Sequence, residues 1–337
     1  MKREAGREPE IGGLNRAQRE AVEHPPEDGP LIVLAGPGTG KTRVITRRIA
    51  HLIQDRGIAP ESIAAVTFTN KAAAQLRERL SRLVGFATAS RVHAHSFHAF
   101  GARLLTQYGD RLDLAPMTAG SRSLQRGRSG RLRRSELIDS AQSRRMLRKL
   151  ILDEDLFGHA RAGGLEAIID EALRLFDYFD NHALGNDQIE AFVSRWAKAI
   201  ERGESSDGSP LPAEDRAASI RSERDRLDRF VAFARLRALP DCERRGSGLM
   251  TYGDQMVLPI RLLRDHPALA ARIRTEIKHW LVDEFQDVNA AQIELLRLVA
   301  PPESGRPDLC VVGDDDQAIF GFRGADDRAF DKFSALW

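Results

Sequence analysis

The sequence predicts an open α/β fold, a parallel sheet flanked by helices, with an all-helical domain inserted into it. Three observations carry this. Five short apolar runs have the length and composition of buried strands, the first three are each followed by a helical pattern, and between the third and fourth only helical periodicity is found.

The runs are "LIVLA" (31–35), "IAAVTF" (63–68), "RVHAH" (91–95), "WLVD" (280–283) and "LCVVGD" (309–314). After the first three come "KTRVITRRIAHLIQ", "KAAAQLRERLSRLV" and "HAFGARLLTQY", with apolar residues three and four apart. Strand alternating with helix means βαβ units. The alternation stops after residue 108 and resumes near 279. The intervening "SAQSRRMLRKLILDEDL", "LEAIIDEALRLFDYF" and "ASIRSERDRLDRFVAFARLRAL" read as helices, broken at "GESSDGSPLP" (203–212) and "RRGSGLM" (244–250), which read as loops. The expected organisation is a disordered tail (1–13), a discontinuous sheet domain (14–108 and 277–337) and an inserted helical domain (109–276).

A chain of 337 residues suits two domains, and 51 basic against 49 acidic residues neither demand nor exclude a polyanionic partner. Cys242 and Cys310 match no metal-ligand spacing and fit a reduced compartment. The charged start "MKREAGREPE" is unlike a signal peptide, and no uncharged apolar run reaches about 18 residues. The expectation is a soluble cytoplasmic protein with no membrane partner.

"LIVLAGPGTGKT" is a strand ending in a glycine-rich turn that opens a helix, the context of a P-loop, with Ala35 where the general pattern has its first glycine. Gly36, Pro37, Gly38, Thr39 and Gly40 form the turn, whose backbone N–H groups can converge on phosphate oxygens at a helix N-terminus. Lys41 would reach the β- and γ-phosphates and Thr42 would place a hydroxyl on Mg²⁺. In "HWLVDEFQD" an apolar strand delivers Asp283 and Glu284 at its C-terminal end, where ligands bind in open α/β sheets. Asp283 can hold Mg²⁺ and Glu284 can polarise the water that attacks the γ-phosphate.

With these motifs stand "LNRAQREAV" (14–22), "TFTNKAAAQLRERL" (67–80), "SFHAF" (96–100), "LVDEFQDVNAAQ" (281–292) and "VVGDDDQAIFGFRGA" (311–325). In order, they resemble the first half of the motif series of UvrD/Rep/PcrA-type superfamily-one DNA helicases. The resemblance implies a RecA-like P-loop NTPase domain that couples Mg-ATP hydrolysis to 3′–5′ movement on single-stranded DNA, in repair or recombination. It implies ATP and Mg²⁺ as cofactors, and single strands and single/double-strand junctions as partners. Gln18 matches the family's adenine-reading glutamine and Arg43 the residue that lies against the ring. Thr67, Phe68, Thr69, Asn70 and Lys71 match one DNA-contacting segment; Ser96, where threonine is commoner, and His98 match the next. In the last motif the resemblance puts Asp314 and Gln317 near the γ-phosphate, makes Phe320 and Phe322 stacking surfaces for bases, and has Arg323 link the two. Two phenylalanines replace the commoner tyrosine and tryptophan, keeping the π-faces that accept any base.

His93, His95 and His98 crowd together, but no carboxylate or cysteine close in sequence completes a metal set. "TYGDQM" (251–256) departs from a family "DFDDL"-like segment, keeping Asp254 and replacing an acid by Gly253. From Arg122 to Lys149 there are ten basic residues and two acids, either a solvated loop or a phosphate-binding one. The chain stops before the family's remaining motifs, so the resemblance implies a further partner, the C-terminal RecA-like domain of the same protein, and little or no activity for this part alone. Two alternatives stand beside the helicase reading, a nucleotide-regulated DNA-binding module and the motor part of a helicase-nuclease. A small-molecule P-loop kinase explains neither the "TFTNK" segment nor the aromatic pair.

Overall fold

The computed structural model describes residues 13–112, 136–158, 164–246, 249–304, 307–317, 325–326 and 328–337. The expected tail before Gly13 and the arginine run at 122–134 lie outside the described residues. The chain divides into two compact units, Met1–Gly101 with Leu263–Trp337 and Ala102–Leu262. The strands are β1 (Leu31–Leu34), β2 (Ile63–Thr67), β3 (His93–Ser96), β4 (Glu136–Leu137), β5 (Leu249–Met250), β6 (His279–Val282) and β7 (Asp308–Gly313). The helices are α1 (Arg16–Glu23), α2 (Lys41–Gln54), α3 (Asn70–Val84), α4 (Phe86–Ala89), α5 (Phe97–Tyr108), α6 (Ser140–Asp153), α7 (Leu165–Asn181), α8 (Asn186–Arg202), α9 (Arg216–Gly246), α10 (Asp254–Asp265), α11 (Pro267–Glu276), α12 (Ala290–Val299) and α13 (Ala329–Leu336). The unit boundaries fall within α5 and α10.

In the first unit the five strands form one parallel sheet in the order β1-β7-β6-β2-β3. Sequence composition explains the order. The near-uniformly apolar β2 and β7 are buried along their whole length in the interior of the sheet. At the edges, β3 alternates buried and half-buried residues, and β1 ends on the exposed Leu34. One core is closed by Ile45, Ile49 and Leu52 of α2 and Leu76 and Leu80 of α3 against Ala65, Leu281, Cys310 and Val312 of the sheet. Full burial of a side chain of this kind contributes about 1.5–3 kcal/mol. Because all five strands are parallel, their C-terminal ends emerge on one edge of the sheet, and the glycine-rich turn, the segments after β2 and β3, the acids after β6 and Asp314 after β7 lie there.

Helix starts follow their side chains. Asn15 and Gln18 form a capping box on α1, Asn289 and Gln292 one on α12, and Thr69 accepts from the Ala72 amide at the start of α3.

The second unit packs Leu147 and Ile151 of α6, Ile168, Ile169 and Ala172 of α7, and Phe233 and Leu236 of α9. α8 is held to α9 through Trp196, whose indole N–H donates to Glu223 at 2.9 Å and whose ring meets Phe230 at 5.8 Å. The loop expected at 244–250 is instead divided: α9 continues to Gly246, and Leu249 and Met250 pair with Glu136 and Leu137 as a short parallel ladder. The Met250 carbonyl also takes the Ile138 amide at 2.9 Å, so the ladder gives this chain backbone partners that a loop would have to find in water.

The departure at "TYGDQM" has a local explanation. Asp254 accepts from the Thr251 amide at 2.8 Å and returns its own amide to the Thr251 hydroxyl at 3.1 Å, opening α10. A Cβ on Gly253 would lie 1.8 Å from Asp180 Oδ2, and Asp180 is held at 2.7 Å by the half-buried Arg237. Asp180 thus occupies the space a side chain at 253 would need. Gly253→Ala should destabilise the chain by about 1–3 kcal/mol, the scale of overpacking. An unchanged urea midpoint would contradict this.

Candidate active site

β1 delivers the glycine-rich turn and α2 begins at its end. Gly38 (φ 71°) and Gly40 (φ 94°) adopt left-handed backbone that a Cβ would strain. The Thr39 hydroxyl closes it by donating to the Gly36 carbonyl at 2.7 Å. Gln18 reaches across from α1 and donates to the Thr39 carbonyl at 2.7 Å, with its amide group seated against Gly40, where a Cβ would come within 3.2 Å of Nε2. Arg43 lies beside Gly13, whose missing Cβ leaves room for the guanidinium. Pro37 sits in the same turn, between Gly36 and Gly38.

Lys41 is largely buried and donates to the Ala35 carbonyl at 3.2 Å. Its Nζ stands 4.0 Å from Glu284 Oε2 and 4.0 Å from Asp314 Oδ2. Three motifs far apart in sequence meet here. Asp283 continues the sheet beyond β6, donating its amide to the Val66 carbonyl at 2.9 Å, and its carboxylate accepts from the Thr42 hydroxyl. Glu284 follows with φ 53°, a left-handed conformation costly for a residue with a side chain. That turn aims its carboxylate toward Lys41. Gln317 caps the group, its amide donating to Asp314 Oδ2.

Electrostatics match the geometry. Burial, then the neighbouring Glu284 charge, push Asp283 up to about 6 from 3.8, against the Thr42 and amide hydrogen bonds and Lys41. Asp287 is pushed to about 6 by the same two causes in the same order, and its buried Oδ1 has no hydrogen-bond partner among the described residues. Both acids favour their protonated form in the fold. Their contribution to stability is therefore present below pH 3.8 and lost as pH rises through about 6. A cation at Asp283 reverses the preference, because it needs the ionised carboxylate. Mg²⁺-dependent nucleotide affinity should accordingly fall as pH drops below about 6, approaching tenfold per unit. Titration with a fluorescent ATP analogue between pH 5 and 8 checks it, and a pH-independent Mg²⁺ effect would contradict it.

The residues present fit a magnesium nucleotide. Lys41 stands between two carboxylates without closing on either, the buried Asp283 carboxylate takes the Thr42 hydroxyl, and Asp287 leaves one buried oxygen without a partner among the described residues. Gln286 was missed by sequence reasoning: it donates to Glu284 Oε2 at 2.8 Å and accepts the Asp314 amide at 3.0 Å. A long amide directly behind a strand-end acid pair was the available signal.

The ends of β2 and β3 form a neighbouring surface. Asn70 and Lys71 are exposed, Thr69 is exposed with its hydroxyl capping α3, and Phe68 is half-buried. Thr67 and Ser96, expected to contact DNA, are instead buried. The Thr67 hydroxyl donates to the Thr69 carbonyl at 2.9 Å, and that of Ser96 to Asn70 Oδ1 at 2.6 Å, so both hold the turn together. Ser96 also takes the Ala99 amide at 3.2 Å, and that leaves it to orient Asn70. Burial pushes His98 down to about 4, so its ring is neutral at physiological pH. Among the described residues no cluster of three His, Cys, Asp or Glu side chains could hold a metal. Phe320, Phe322 and Arg323 lie outside the described residues.

A family model described as the UvrD/REP helicase N-terminal domain matches residues 14–336. The chain belongs to that family. It is 32% identical over 312 residues to the ATP-dependent DNA helicase Rep of Escherichia coli K12, covering 93% of this chain and 37% of Rep. It is 30% identical over 313 residues to the ATP-dependent DNA helicase PcrA of Leuconostoc citreum, covering 93% of this chain and 34% of PcrA. With the ATP-dependent DNA helicase UvrD1 of Mycobacterium tuberculosis H37Rv it shares 34% over 327 residues, 96% of this chain and 35% of UvrD1. The chain thus spans about a third of the length of these relatives. As a UvrD/Rep N-terminal domain, it has its strand-end motifs in the parallel sheet its sequence predicts. No helix among the described residues is long and apolar enough to cross a membrane.

Proposed function

We propose that this chain is the nucleotide-binding part of an ATP-driven DNA translocase and helicase, moving 3′–5′ on single strands and acting at single/double-strand junctions. One observation carries the reading. The P-loop lysine, the acid after β6 and the acid after β7 converge within 4.0 Å of one ammonium group, beside a surface bearing Asn70 and Lys71. Lys41 neutralises phosphate charge, Glu284 accepts a proton from the attacking water, and Gln18 with Arg43 holds the adenine. Asp283 and Thr42 hold Mg²⁺, which when bound offsets charge on the β- and γ-phosphates. Asn70, Lys71 and the backbone at the ends of β2 and β3 take DNA phosphates, and Phe68, Phe320 and Phe322 offer faces to bases.

The chain covers only about a third of its relatives, so the arginines that complete such a site, and a second domain that closes on it, are proposed to come from the rest of the same protein. That same fact keeps a second reading in view, a nucleotide-regulated DNA-binding module. Both readings require two bound ligands, a magnesium nucleotide and a single strand. Fluorescence titrations of the 337-residue chain with an ATP analogue and with a labelled oligonucleotide test them. Phe322→Ala should weaken the oligonucleotide by about 1–3 kcal/mol and leave nucleotide affinity unchanged. Nucleotide binding without any DNA binding would sink both readings, and loss of nucleotide affinity in Phe322→Ala would make that residue core.

A further inference from the structure

We propose that Gln286 is a positioning residue, whose single amide fixes the carboxylate of Glu284 and ties it to the backbone of Asp314. The inference rests on the reading of Glu284 as the base. Gln286 is buried in the middle of the short 3₁₀ turn Phe285–Asp287, two residues beyond Glu284. Its Nε2 donates to Glu284 Oε2 at 2.8 Å, and its Oε1 accepts from the Asp314 amide at 3.0 Å. The carboxamide serves both bonds from separate atoms, the nitrogen as donor and the oxygen as acceptor. Around it a ring closes: Lys41 stands 4.0 Å from both Glu284 and Asp314, and Gln317 donates to the Asp314 carboxylate.

The neighbouring backbone is shaped for this side chain. A Cβ on Gly313 would fall 2.4 Å from Gln286 Oε1 and 2.8 Å from the Phe330 ring, so the last residue of β7 must lack one if the amide is to reach across. Glu284 needs the support. Its φ of 53° is left-handed and its side chain is about two-fifths exposed, so without a second anchor the carboxylate would sample rotamers pointing into solvent. A base that must sit within hydrogen-bond reach of one water loses rate when its carboxylate is not held. Through Asp314 the amide also connects the base to the strand end that runs on to Gln317. A change in where Glu284 points is then felt as a pull on that strand end.

Two substitutions separate the bonds. Gln286→Leu removes both and keeps the volume; Gln286→Glu keeps an acceptor for the Asp314 amide but replaces the donor facing Glu284 with a negative charge. Single-turnover hydrolysis of radiolabelled ATP at saturating chain and Mg²⁺ should be slower by about tenfold or more in both. Affinity for an ATP analogue should stay within about twofold of the unsubstituted chain in both, because neither bond reaches the P-loop. Hydrogen exchange at the Asp314 amide should quicken in Gln286→Leu alone. Hydrolysis within about twofold of normal in either variant overturns the proposal, and so does a parallel loss of nucleotide affinity, which would mark a merely structural role. Glu284→Gln is measured alongside. If it hydrolyses normally the reading of the base itself fails, whereas a slow Glu284→Gln with normal Gln286 variants removes only the positioning role.

Discussion

Glu284→Gln is expected to bind Mg-ATP about as well as the unsubstituted chain and to hydrolyse it about 100-fold more slowly, the scale of losing a general base. The glutamine keeps the size of the side chain and, with its carbonyl oxygen accepting from Gln286 Nε2, the bond with Gln286, but it cannot take a proton from water. Lys41→Ala should behave oppositely. Among the described residues its ammonium is the cation between Glu284 and Asp314, at 4.0 Å from each, and removing it leaves two carboxylates facing the phosphates. Nucleotide affinity should fall steeply, by about 3 kcal/mol or more, the scale on which loss of one partner of a buried charge pair is felt. Equilibrium titration with a fluorescent ATP analogue and single-turnover hydrolysis, run on both variants, separate the two losses. If Glu284→Gln lost affinity and Lys41→Ala kept it, the assignment of the two side chains would be reversed.

Arg48→Met should cost about 3–5 kcal/mol of folding stability, a large share of what a domain of this size commands. Arg48 is fully buried in α2, donates to the carbonyls of Ala21 at 3.2 Å and His24 at 2.7 Å, and pairs with Asp308 at 2.9 Å. Asp308 in turn takes His279 at 2.6 Å. One guanidinium thus satisfies the open C-terminal carbonyls of α1, anchors the start of β7, and holds the helix that carries Gln18 against the helix that carries Lys41. Methionine fills the volume but leaves Asp308 buried with one partner fewer and those carbonyls unsatisfied. Urea unfolding measures the loss; a change below about 1 kcal/mol would show the network to be dispensable.

The sheet was legible because its inner strands, β2 and β7 above all, are buried along their whole length and therefore read as apolar runs that end at a motif. The helices after them were legible from their spacing. α8 carried the same spacing, at Ile189, Trp196, Ala199 and Ile200, and could have been read; the ladder of β4 and β5 could not be, at two residues a strand. Within the site, the meeting of Lys41, Thr42, Asp283 and Glu284 could be expected from their places at strand ends. The donors of Thr67 and Ser96 could not be followed in sequence, and only the fold shows them bonded to Thr69 and Asn70. Arg48 gave a signal that could have been taken: it lies four residues from Val44 and Leu52 and three from Ile45, on the buried stripe of its helix, where a charge needs a partner. Gln286 gave a weaker one, since nothing in sequence says which backbone amide an inward carboxamide will meet.

We propose that this chain holds a nucleotide-binding site whose turnover depends on groups supplied from elsewhere in the protein. ATP hydrolysis by the 337-residue chain, measured with and without a single-stranded oligonucleotide at saturating Mg²⁺, tests it most directly. The expected result is measurable nucleotide binding, turnover far below one per second, and no stimulation by DNA, because one domain has nothing to close against and no partner arginine reaches the γ-phosphate. Strong DNA-stimulated turnover by the monomeric chain would contradict it, and would place the completing arginine within these residues, with the run from Arg122 to Arg134 the first to substitute.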